Sequence, residues 1–223
     1  MNDFSRRKFL LGTAAGIAAA SVRCGYTDEC YSKWHPFDSH VHLPSVSGKI
    51  YMWNNILPSE EDCKSFFKYL KNSGVTKILG QGSPDVASDS NDPKLVTTAN
   101  DASLKWRDMY PDFVVPTCNA NPNFLEVSLK EMQRMRKEGV VWLGEFTAYM
   151  HGYKYNTKEF YEIVKAAEEM NYIVSIHIEN DILVTLLDDF PNVTWNLCHF
   201  TDSSYSRKGM VERFTIGEKH PNM

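Results

Sequence analysis

From Pro36 onward a short apolar run is followed by an amphipathic stretch, and the pair recurs six times; this recurrence limits the fold more than any other feature. The apolar runs fall at residues 36–43, 75–79, 113–118, 140–143, 173–176 and 193–198. Stretches with helical spacing follow at 59–73, 95–110, 124–138, 157–170, 181–189 and 205–218. The runs are continuous rather than alternating, as expected for strands covered on both faces. Alternating strand and helix segments then imply an α/β fold with a parallel sheet. The boundary residues agree: Ser59 and Thr157 are good N-caps, and Glu60, Glu61 and Asp62 suit the positive end of a helix dipole. Gly74 and Gly139 stand where helices stop.

Such a sheet is either a closed barrel or an open, doubly wound layer. No GxGxxG follows the first run, which weakens a dinucleotide-binding reading. The expected fold is therefore α/β of the (β/α)8 TIM-barrel type, incomplete, with about six βα units. A full barrel takes about 250 residues. This chain has 223 and stops at His220-Pro221-Asn222-Met223, where a seventh strand is expected to begin. A C-terminally truncated barrel is the expectation.

Composition removes several function classes. Lys and Arg total 24 against 28 Asp and Glu, a net charge of −4, so no concentrated basic surface offers itself to nucleic acid. A hydrophobic content of 43% supports a packed core and excludes low-complexity disorder. The five cysteines are odd in number and widely spaced, which fits neither a disulfide scaffold nor a CxxC zinc site.

The N-terminus reads as an address. Ser5-Arg6-Arg7-Lys8-Phe9-Leu10-Leu11 precedes a small and apolar stretch, too short to span a bilayer stably, and matches a twin-arginine export signal. An amphipathic N-terminal anchor is the alternative. Cys24 sits where a lipoprotein is acylated, although Arg23 before it fits that pattern poorly; a Cys24–Cys30 disulfide after export is the other reading. The expected organisation is a signal peptide at 1–23, a linker at 24–33 and a barrel domain at 34–223. The expected location is the periplasm, reached by the Tat pathway, free or lipid-anchored.

Chemistry gathers at the strand ends. His40 and His42 close the first strand, Glu145 the fourth, His177 the fifth and His199 the sixth. In a parallel barrel, C-terminal strand ends share one mouth. Residues two apart on a strand project to the same side, so His40 and His42 can grip one ion. A lone strand-end histidine is usually a satisfied core or surface residue. Four histidines and a glutamate, each at the end of its element, point instead to a divalent metal bound by His40, His42, Glu145, His177 and His199, with zinc the expected ion. His35, His151 and His220 fit no such rule and are expected on the surface. Trp53, Tyr149 and Tyr153, in loops at the same mouth, are candidate pocket walls.

Phe37-Asp38-Ser39-His40-Val41-His42, Ser175-Ile176-His177 and Leu197-Cys198-His199-Phe200 resemble the amidohydrolase superfamily in order and spacing. The nearest branch is the amidohydrolase-related group of hydrolases, lactonases and decarboxylases. The resemblance implies metal ligation by His40, His42 and His177, with His199 binding metal or contacting substrate. It places Glu145 where some members bridge two metals. Catalytic roles then fall to His199 and Glu145. It also implies a strand-8 aspartate that this chain does not supply; Asp202 is no equivalent.

The implied activity is hydrolysis of an amide, ester or lactone bond of a small molecule through a metal-activated water. A metal-dependent decarboxylase on the same scaffold and an inactive truncated remnant are the alternatives. A glycosidase barrel would use Glu145 but leaves the histidines unexplained. Expected partners are a small-molecule substrate, no nucleic acid, the membrane only through the signal or a lipid on Cys24, and a second copy of the chain if it oligomerises.

Overall fold

The computed structural model describes residues 36–43, 60–82, 92–199 and 206–223. The proposed export signal, Cys24, Cys30, His35, Trp53, Ser59 and Asp202 lie outside these residues. The described elements run β1 (Phe37–Leu43), α1 (Glu60–Asn72), β2 (Lys77–Gly82), α2 (Lys94–Met109), β3 (Val114–Cys118), α3 (Leu125–Lys137) and β4 (Trp142–Phe146). Then follow α4 (Ala148–His151), α5 (Lys158–Glu169), β5 (Ile173–Ile176), α6 (Asn180–Asp189), β6 (Thr194–Leu197) and α7 (Arg207–Lys219). No described helix is long and apolar enough to cross a membrane.

The six strands form one parallel sheet in sequence order, β1 to β6. In a flat sheet, five strand spacings would part β1 from β6 by about 24 Å. Instead the ring of His40 on β1 and that of His199 just past β6 have centroids 5.1 Å apart. The sheet is therefore curled into a partial barrel, with helices packed on its outside. This is an incomplete (β/α)8 architecture, as the sequence implies.

The helices form where apolar spacing and end signals agree. Thr157 caps α5 by accepting a hydrogen bond from the Phe160 N–H at 3.3 Å. Behind α1 and α3, Gly74 and Gly139 adopt φ of 88° and 82°, a left-handed conformation that glycine takes without steric cost. Phe160, Ile163, Val164 and Ala167 form the buried stripe of α5 and pack with Leu143, Phe146, Val174 and Ile176 of β4 and β5. A second cluster joins Phe67 of α1 and Trp106 of α2 to Leu43, Ile78 and Val114 of the first three strands. Phe67 is 1% exposed whereas its neighbour Phe66 is 42% exposed, so only one of the two phenylalanines faces the sheet.

Two strands carry a local irregularity. Between Asp38 and Val41, β1 uses three residue steps against two on β2; between Leu143 and Phe146, β4 does the same against β5. Each is a bulge, which bends a strand and re-aims side chains. In β1 the Asp38 carboxylate accepts the His40 N–H at 3.1 Å, supporting the bend. In β4 the bulge contains Gly144, with φ of 107°. A Cβ there would lie 2.3 Å from the Ser175 carbonyl oxygen, so a side chain has no room. The bulges coincide with His40 and Glu145.

Candidate metal centre

Glu145 leaves the β4 bulge pointing inward, and its side chain is 5% exposed. Its two oxygens face different partners. Oε2 lies 3.6 Å from His40 Nε2 and 3.5 Å from His42 Nε2. Oε1 lies 3.6 Å from His177 Nδ1 and 4.0 Å from His199 Nε2. The rings meet edge-on, with centroids 4.8 Å apart for His40–His42 and 4.7 Å for His177–His199. All five residues singled out in the sequence are thus brought together. His40 and His42 lie within β1, while His177 and His199 fall one and two residues beyond their strands.

The electrostatics favour bases over acids. Burial lowers the His40 pKa more than Glu145 raises it. Burial, followed by the neighbouring His177, lowers that of His199. Burial alone would raise Glu145, but the adjacent His177 and the other surrounding imidazoles outweigh it and hold the carboxyl below its ordinary value. His40 and His199 are thus biased toward the neutral imidazole, beside a Glu145 carboxylate biased toward the anion.

A divalent cation fits this donor set. Two pairs of imidazole nitrogens flank the two oxygens of one carboxylate, and nitrogen and carboxylate oxygen are the donor types such cations take. Among the described residues His40 Nδ1 is buried without a hydrogen-bond partner. His40, His42 and Glu145 make one potential ligand set, and Glu145, His177 and His199 another; within each, the ligand atoms lie within 4.8 Å of one another. Two ligands on a tetrahedral zinc ion stand about 3.3 Å apart, so side-chain shifts of about 1 Å would close either set. Burial pushes the Cys198 thiol up, which favours its protonated form in the metal-free chain.

The walls follow only part of the sequence expectation. Tyr149 stands 5.1 Å from the His177 ring, measured between centroids, and Tyr153 is buried behind it. Both line a cleft of about 940 Å³ that reaches His177 and continues along Lys154, Tyr155 and Leu186. Two histidines expected on the surface are not there. His151 is partly buried against the Tyr153 ring and, with Glu145, lines a small pocket, because the segment after β4 folds back over the strand end. His220 is 17% exposed and faces Asp188 at 3.7 Å, because the C-terminal segment returns to β6.

Three participants escape sequence reading. The Tyr155 hydroxyl lies 2.7 Å from both the Phe146 and His177 carbonyl oxygens and accepts the Ala148 N–H at 3.2 Å. It ties the ends of β4 and β5 together. Gln81, register partner of His42, is 1% exposed, and among the described residues its amide lies beside the Cys198 thiol without a well-formed hydrogen bond. Arg213, on α7, is buried and bonded to the residues that leave β5 and β6. Only Tyr155 had a signal, its place in the same tyrosine-rich loop as Tyr149 and Tyr153.

Comparison with known proteins bears on this geometry. A family model described as amidohydrolase matches residues 38–222. No curated protein matches the sequence. Among solved structures, a probable 2-pyrone-4,6-dicarboxylic acid hydrolase from Acinetobacter baumannii aligns with a TM-score of 0.56 and 18% identity over 82% of this chain and 66% of that one. A manganese-bound 5-carboxyvanillate decarboxylase from Novosphingobium aromaticivorans gives 0.57 and 16% over 74% and 65%. A 4-oxalomesaconate hydratase from Rhodopseudomonas palustris gives 0.56 and 15% over 82% and 68%. The chain thus spans about two thirds of the length of these structures, slightly less for the first two, and at these identities the likeness is one of fold.

Proposed function

The chain belongs to the amidohydrolase family, and on that premise we propose that it is a metal-dependent enzyme whose centre is formed by His40, His42, Glu145, His177 and His199. The carrying observation is the single buried carboxylate whose two oxygens face two separate histidine pairs. When bound, a divalent cation would acidify a water and polarise a carbonyl or carboxylate of the substrate. Zinc suits the nitrogen-rich donors, while a fold relative carries manganese.

The finer reading is hydrolysis of an amide, ester or lactone in a small molecule. Glu145, held ionised, serves as a shared anionic ligand and not as a proton donor. His199 has the most exposed side chain of the four histidines, at 37%, which suits it to orient a substrate oxygen or pass a proton at Nε2. Tyr149, beside His177 at the head of the cleft, forms one wall for the substrate. Decarboxylation is the second reading, kept because one of the structures sharing this fold is a decarboxylase. Export by the twin-arginine route to the periplasm is part of the proposal and rests on the N-terminal sequence.

Metal analysis and calorimetric titration of the purified chain with Zn2+, Co2+ and Mn2+ test the centre. We expect one or two ions per chain, and loss of tight binding when His40→Ala and His42→Ala are combined. Unchanged stoichiometry in that double variant refutes the assigned ligands. A panel of lactones, esters and aromatic carboxylates, followed by acid release and by CO2 evolution, separates hydrolysis from decarboxylation.

A further inference from the structure

Arg213 has no part in the ligand set, yet its side chain holds the backbone that carries half of it. The residue is 3% exposed on α7, the helix after β6. Its Nε donates to Asn180 Oδ1 at 2.8 Å, and Nη1 donates to the His199 carbonyl at 2.8 Å. Nη2 donates to the Ile178 carbonyl. Those acceptors belong to the start of α6, the residue after His177 and His199 itself. Asn180 in turn donates to the Gly209 carbonyl at 3.2 Å, closing the connection back onto α7. One planar guanidinium thus joins the exits of β5 and β6, a geometry that the single ammonium of a lysine does not reproduce.

His42 is held in register opposite Gln81, and the β1 bulge that carries His40 is braced by the Asp38 carboxylate, which accepts the His40 N–H. His177 and His199 lie past the last residues of β5 and β6, where one backbone bond each, His177 N–H to the Phe146 carbonyl at 3.0 Å and Cys198 N–H to the Ile176 carbonyl at 3.3 Å, still reaches the neighbouring strand and the Arg213 side chain adds its own hold. We propose that Arg213 is a positioning residue for the metal centre: it fixes the exits of β5 and β6 so that His177 and His199 face Glu145 together. This rests on the metal-centre reading given above.

The test is Co2+ titration of the full chain, followed by calorimetry and by the visible absorption of the bound ion, on Arg213→Lys in two backgrounds. In the otherwise native chain, Arg213→Lys is expected to weaken Co2+ binding at least about tenfold, as loss of a support behind a ligand does. Its spectrum should move toward that of the His177→Ala/His199→Ala variant. In that double-alanine background the same substitution should cost nothing further, since the rings it serves are gone. A destabilised scaffold would weaken binding in both backgrounds, and equal losses in both overturn the proposal, as does native affinity in Arg213→Lys. If Arg213→Lys fails to fold, Asn180→Ala, which removes the acceptor of Nε, takes its place in the same comparison. Failure of the unmodified chain to bind Co2+ refutes the centre itself, and the role of Arg213 with it.

Discussion

Burial sets the protonation of three histidines here more than charge pairing does. His40, His151 and His199 all have pKa values below the ordinary histidine value, and burial is the leading cause for each. A group whose folded pKa lies below its unfolded one binds its proton more readily when unfolded. Its contribution to stability is complete above about pH 6.5 and is lost as pH falls from there through the lowered folded values. The metal-free protein is therefore expected to lose melting temperature between pH 7 and pH 5, before the carboxylates titrate. Glu145, also lowered, adds a loss in the same direction only below about pH 4.5. Calorimetric scans across this range check the sign; a melting temperature that rises on acidification would contradict it. Metal binding should weaken over the same interval, because protons and cation compete for the same nitrogens.

Elements matter here mainly through their ends. The bulges in β1 and β4 deliver His40 and Glu145 to the interior, and side-chain hydrogen bonds add to the last backbone bonds at the strand exits. Tyr155 is the clearest case outside α7. Its hydroxyl has one proton to share between the carbonyls of Phe146 and His177, and it accepts from Ala148. Tyr155→Phe keeps the ring, which packs against Phe160 at a centroid distance of 5.0 Å, and removes only the hydroxyl. The expected cost is about 1–3 kcal/mol, the penalty for buried polar groups left without their partner. Urea denaturation measures it, and metal affinity should fall as well because His177 loses an anchor. A variant as stable as the parent would show that these carbonyls find other donors.

At the scale of the whole molecule, the curl of the sheet brings β1 and β6 close at the site, while the backbone edge of β6 meets the end of the chain. The Trp195 N–H donates to the Asn222 carbonyl at 2.8 Å, and Met223 packs against the core beneath β6. Deleting residues 220–223 should cost about 1–3 kcal/mol, from the lost Trp195–Asn222 backbone bond, the lost Asn222 side-chain bond to the Phe190 carbonyl and the exposed apolar surface. A urea midpoint unchanged by the deletion would show that this segment does not brace β6. The sequence by itself determined the parallel α/β class, the six strand positions with bounds no more than three residues off and the five residues of the cluster. Each of these is written locally, in apolar runs, end signals and the histidines that follow them. It misplaced His151 and His220, and was silent on the bulges, Tyr155, Gln81 and Arg213. Those depend on which segments the curled sheet brings into contact, such as residue 213 against residues 178, 180 and 199, and a linear pattern carries no record of partners that far apart.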